Sequence, residues 1–147
     1  MSPSWKHERY AEVFGSLIRI VASDLKLPLI GGGSTTFRSR ESEVGLEPDR
    51  CFYIRHASAV MGKRELDLAV DPPPDLVVEI EVSRRIIDRL ELYAALRVPE
   101  VWRCDGKRLE VLTLSGGNYL VSDKSGVFPQ RRIEEIIPLI ERSWMTD

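Results

Sequence analysis

The sequence predicts an α/β protein, a mixed β-sheet with α-helices packed against it. Three observations point there: an amphipathic helix near the start, a strand–helix–strand order after a triple proline, and a hairpin pattern that follows it. With 147 residues the chain suits one domain, 1–147, with a single core; two independent domains would be cramped. A hydrophobic share of 43% excludes wholesale disorder.

From His7 to Lys26 the apolar residues Val13, Phe14, Leu17, Ile18, Val21 and Leu25 recur at helical spacing, with Gly15 as the one weak point. Leu27 to Ile30 and Ser34 to Phe37 read as strand pieces around a flexible bend at Gly31-Gly32-Gly33. Arg38 to Pro48 has no periodicity and reads as a loop, and Cys51-Phe52-Tyr53-Ile54 as a short strand. His56 to Asp71 is ambiguous between an excursion and a short helix. Pro72-Pro73-Pro74 enforces an extended approach to Leu76–Val82, the clearest strand. Ser83 can cap a helix through Arg84–Arg97, whose stripe is Ile86, Ile87, Leu90, Tyr93, Ala94 and Leu96, and Pro99 stops it. Val101–Cys104 and Leu109–Thr113 flank Asp105-Gly106 as a hairpin. Gly116-Gly117-Asn118 marks a turn before Tyr119–Val121, and a closing helix covers Ile133–Glu141.

Composition narrows the function classes. Lys plus Arg number 21 against 23 Asp plus Glu, a net charge of −2, which argues against coating nucleic acid by bulk electrostatics and leaves a local basic stripe open. Cys51 and Cys104 make neither a disulfide scaffold nor a zinc site and read as buried small hydrophobes. No apolar run reaches the ~18 residues of a membrane span and no signal segment opens the chain, so no membrane partner and a reducing, cytoplasmic compartment are expected. His7 and His56 read as surface or capping histidines, and Trp5, Trp102 and Trp144 as core or edge packing.

The segment Asp75–Ser83 carries the chemistry. Alternation puts Leu76, Val78, Ile80 and Val82 on one face and Asp75, Val77, Glu79, Glu81 and Ser83 on the other. Glu79 and Glu81 then project the same way, roughly 7 Å apart. Their repulsion is mild in water and severe on a covered strand; a divalent cation with hard oxygen ligands would remove it. The competing reading is a polar strand face that meets solvent. Asp49, just before the Cys51 strand, could join them, and three acids from two strands can form a metal-dependent phosphodiester-cutting site. Arg84, Arg85 and Arg89 follow the acidic strand; Arg85 and Arg89 share a helix face, either beside that site or in surface pairs with Asp88 and Glu91.

Three stretches, Glu47–Ile54, Asp67–Ile80 and Tyr93–Trp102, closely resemble the Uma-type family, bacterial proteins read as restriction endonucleases of the PD-(D/E)XK nuclease superfamily. The resemblance extends from Ser34-Thr35-Thr36-Phe37 to Phe128-Pro129. It implies a restriction-endonuclease-like core, Mg²⁺-dependent hydrolysis of DNA with Mn²⁺ as substitute, no organic cofactor, and a homodimer. By the same resemblance Asp49 is the first acidic metal ligand and Glu79 the second. Glu81 stands where the superfamily usually has lysine. Arg89 stands where many relatives supply lysine from the following helix; it can clamp a phosphate and cannot accept a proton near neutral pH. Relatives commonly carry a further hairpin ahead of a Met-Ser-Pro-like stretch, here Met1-Ser2-Pro3, so this chain is expected to lack it. The alternative to an endonuclease is a catalytically weak or inactive relative acting as a binding or assembly module.

Overall fold

The computed structural model describes residues 5–37, 47–80, 89–104 and 108–129, with Glu135 and Pro138. Its first element is helix α1 (Trp5–Asp24), whose buried stripe is Tyr10, Ala11, Phe14, Leu17, Ile18, Val21 and Ala22. The helix closes on Lys26 at φ +57, with Leu27 N–H bonded to Ala22 O and Lys26 N–H to Ser23 O, the paired bonds of a Schellman cap built without glycine. Trp5, expected in packing, is instead 81% exposed at the head of α1.

Six strands form one sheet in sequence order: β1 (Ile30–Gly33), β2 (Arg50–Tyr53), β3 (Leu76–Ile80), β4 (Glu100–Cys104), β5 (Leu109–Ser115) and β6 (Asn118–Ser122). All neighbours are antiparallel except β3 and β4, which run parallel and are joined by the crossover carrying helix α3 (Leu90–Ala95). The short helix α2 (Ala57–Val60) settles the ambiguous stretch after β2 as one helical turn inside an excursion. Helix α3 also ends in a Schellman cap, with Arg97 at φ +62 and Val98 N–H on Tyr93 O, one residue before Pro99 turns the chain into β4.

The glycine run corrects the expected bend. Gly31–Gly33 is strand, pairing with Cys51 and Phe52 through a register shift, while Ser34–Thr36 is not strand and Phe37 makes only an isolated bridge. Close approach explains the composition: a Cβ on Gly32 would lie 2.6 Å from Cys51 Sγ. The closing helix, apart from Glu135 and Pro138, and the Asp105-Gly106 turn lie outside the described residues.

Both faces of the sheet are covered. On one, α1 packs with Phe52, Leu76, Val78, Ile80, Trp102 and Phe128. On the other, Tyr93 of α3 packs with Cys51, Val77, Val98, Val101 and Leu112. The strand face that carries Glu79 is therefore under the crossover and not open to solvent.

Candidate active site

The end of the sheet where β2 begins and β3 finishes collects the ionisable groups. Asp49 directly precedes β2, and the antiparallel register sets Arg50 opposite Val78, so the Asp49 carboxyl arrives beside the last residues of β3. Its Oδ2 accepts the Ile80 backbone N–H at 2.7 Å, continuing the ladder through a side chain. Its Oδ1 lies 2.9 Å from His7 Nε2, in the first turn of α1. An ionised carboxylate can only accept, so Nε2 donates.

Glu79 faces the crossover. Tyr93, on α3, donates its hydroxyl to Oε1, and Arg89 Nη1 lies 3.4 Å from the same oxygen. Arg89 also donates to Glu47 O at 2.9 Å, tying the segment before β2 to the start of α3. Burial raises the Glu79 carboxyl to about 8; the neighbouring Asp49 charge adds to the rise, and Tyr93 and Arg89 oppose it. Burial, then Glu79, pushes the Tyr93 phenol up as well, so it stays a neutral donor.

Of the expected site residues, the fold brings together Asp49, Glu79 and Arg89, which lie 30 and 10 residues apart in sequence. Arg89 sits at the head of α3 as its N-terminal flanking residue. Glu81, Arg84, Arg85 and Asp88 lie outside the described residues. Two further groups join the site. Tyr93, expected in the apolar stripe of its helix, also turns its hydroxyl to Glu79, and His7, expected as a surface or capping residue, is only 20% exposed and bonded to Asp49. A signal for His7 existed: it lies three, four and seven residues before Tyr10, Ala11 and Phe14, at the head of the buried stripe of α1.

Two carboxylates suit Mg²⁺, which commonly takes one or two from a protein and fills its shell with water and substrate phosphate oxygens. Among the described residues no group of three or more His, Cys, Asp and Glu is placed to hold a metal ion, so Asp49 and Glu79 are the donors in hand. An acid pair in which one member keeps its proton up to about 8 also fits, because a divalent cation would replace that proton.

These features define an α/β protein with a nuclease-like fold. A similar solved structure is a "putative nuclease belonging to DUF820" from Anabaena variabilis ATCC 29413, with a TM-score of 0.63 and 13% identity over 95% of this chain and 84% of that one. The chain belongs to the Uma2 family, whose model, described as "putative restriction endonuclease", matches residues 1–143. No curated protein matches. No helix among the described residues is long and apolar enough to cross a membrane.

Proposed function

We propose that the protein is a divalent-metal-dependent endonuclease that hydrolyses DNA phosphodiester bonds. The observation that carries this reading is the meeting of Asp49 and Glu79 at one end of the sheet, with the Glu79 carboxyl raised to about 8. Asp49 and Glu79 would hold Mg²⁺ or Mn²⁺, with Glu81 two residues further on as a third carboxylate. When bound, such an ion lowers the pKa of a water and stabilises charge on the phosphate.

The chain's own residues supply the rest. Ile80 N–H fixes one Asp49 oxygen, and Tyr93 fixes one Glu79 oxygen. Arg89 is 37% exposed and can turn its guanidinium from Glu79 toward a phosphate, stabilising charge without accepting a proton. The substrate is DNA, and cutting both strands calls for a homodimer with two sites. The expected compartment is the cytoplasm.

A catalytically inactive binding or assembly module is the second reading. It is favoured by Arg89 resting on Glu79 and by arginine standing where relatives carry lysine. Two measurements separate the readings. Calorimetric titration with Mg²⁺ or Mn²⁺ is expected to show binding that Glu79→Ala abolishes. Plasmid nicking under Mn²⁺ is expected in the natural protein and lost in Asp49→Ala. Silence in both experiments leaves the module.

A further inference from the structure

We infer that His7 is a positioning residue for the Asp49–Glu79 pair, its imidazole holding the Asp49 carboxyl in the orientation that meets a divalent cation. The inference rests on the metal-dependent reading above and extends it to a helix remote in sequence from both acids.

The geometry is specific. Asp49 has one oxygen on a backbone amide of β3 and the other on His7, at 2.7 and 2.9 Å. Two partners on opposite oxygens fix the rotation of a carboxylate that the Glu79 carboxyl also approaches. Each oxygen keeps a second lone pair for a cation. The His7 and Asp49 side chains are both 20% exposed, so water competes weakly for the contact. Glu8 Oε1 lies 3.6 Å from His7 Nδ1, too far for a hydrogen bond, so the contact with Asp49 is the one that orients the ring.

The platform is rigid. His7 heads the stripe Tyr10, Ala11, Phe14 and Ile18, all at most 3% exposed and packed on the sheet, so the burial that fixes α1 also aims the imidazole at the start of β2. Hydrogen-bond partners of ligating carboxylates typically contribute 10–100-fold to metal affinity.

The test uses the full chain and Mn²⁺ as probe. By calorimetry, His7→Ala is expected to bind Mn²⁺ about 10–100-fold more weakly. His7→Gln, whose amide nitrogen can donate from a similar reach, is expected to recover most of that loss. Thermal melting of both variants establishes that they fold. Long-range ¹H–¹⁵N spectra of the metal-free protein give a second readout: His7 is expected as the Nε2–H tautomer, with its ring nitrogens shifting in Asp49→Ala. Unchanged Mn²⁺ affinity in His7→Ala, or no recovery in a folded His7→Gln, overturns the inference. So does a His7 spectrum indifferent to Asp49→Ala, whatever the metal does. A natural protein that ignores Mn²⁺ while its spectrum reports the pairing overturns the nuclease reading, and with it the purpose assigned to His7, while the contact itself stands.

Discussion

Two glutamates sit on the parallel neighbours β3 and β4, Glu100 buried and Glu79 largely so, and they live in different conditions. Glu100, 1% exposed, receives Trp102 Nε1 at 2.7 Å, Ser125 Oγ and Gly126 N–H at 2.6 Å, and Val127 N–H at 3.3 Å. Every one of these partners is a neutral donor, and together they pin the 125–128 segment to β4. Glu79 takes Tyr93 and Arg89 on one oxygen but also faces another carboxyl, Asp49, and burial raises it to about 8. A carboxylate surrounded by donors is a fastening. One pressed against a second carboxylate costs the metal-free fold stability, a cost that a bound cation would relieve under the proposed reading. Asp75, at the other end of β3, sides with Glu100: its Oδ2 takes the N–H groups of Ile54 and His56 at 2.7 and 2.9 Å, and Oδ1 meets His56 Nδ1 at 2.6 Å.

The sharpest way to break this contrast is to remove each acid in turn. Glu100→Ala strands a buried indole and a buried hydroxyl and frees two half-buried amides, and is expected to cost on the order of 3–5 kcal/mol in urea unfolding. Glu79→Gln is expected to act in the opposite direction at alkaline pH. In the unfolded chain a glutamate titrates near 4.5; in the fold this one titrates at about 8. Between those values the native state holds a proton that the unfolded chain has released, so stability falls as pH rises through the window and stays lower above it. Glu79→Gln removes that slope, a gain on the order of 2–4 kcal/mol at pH 9 and little below pH 4. The same proton couples to metal: Mn²⁺ affinity is expected to rise by about tenfold per pH unit below 8 and to level off above it.

Asp75→Ala, which leaves two amides without their acceptor, is expected to cost about 2–3 kcal/mol and to leave Mn²⁺ affinity unchanged. The smallest effect belongs to His56→Ala. His56 is 47% exposed, and losing its bond to Asp75 should lower stability by about 1 kcal/mol, again without touching metal binding. If His56→Ala weakened Mn²⁺ binding as His7→Ala does, the contrast between the two ends of β3 would fail.

What the sequence disclosed follows the range of the forces involved. The α1 stripe, the β3 alternation and the proline before β4 are local and were readable directly. Asp49 and Glu79 were readable as candidates because one lies just before a short strand and the other at a fixed place within one. The Gly31–Gly33 strand was not, since its reason, the Cys51 thiol against Gly32, lies across the sheet. Nor was His7, whose partner is 42 residues away and is met only once α1 is docked. The strand face bearing Glu79 could not be assigned to solvent or core before the crossover was placed over it.

The two thiols of the sheet sit on opposite sides of it. Cys51 lies under the crossover, with burial raising its thiol to about 12, and Cys104 lies under α1. Each stays inert to alkylating reagents until its own side opens. Exchange at Cys104 therefore times the lifting of the long helix, and exchange at Cys51 times the lifting of the layer that bears the phenol and guanidinium. The chain carries one chemical clock for each half of its architecture.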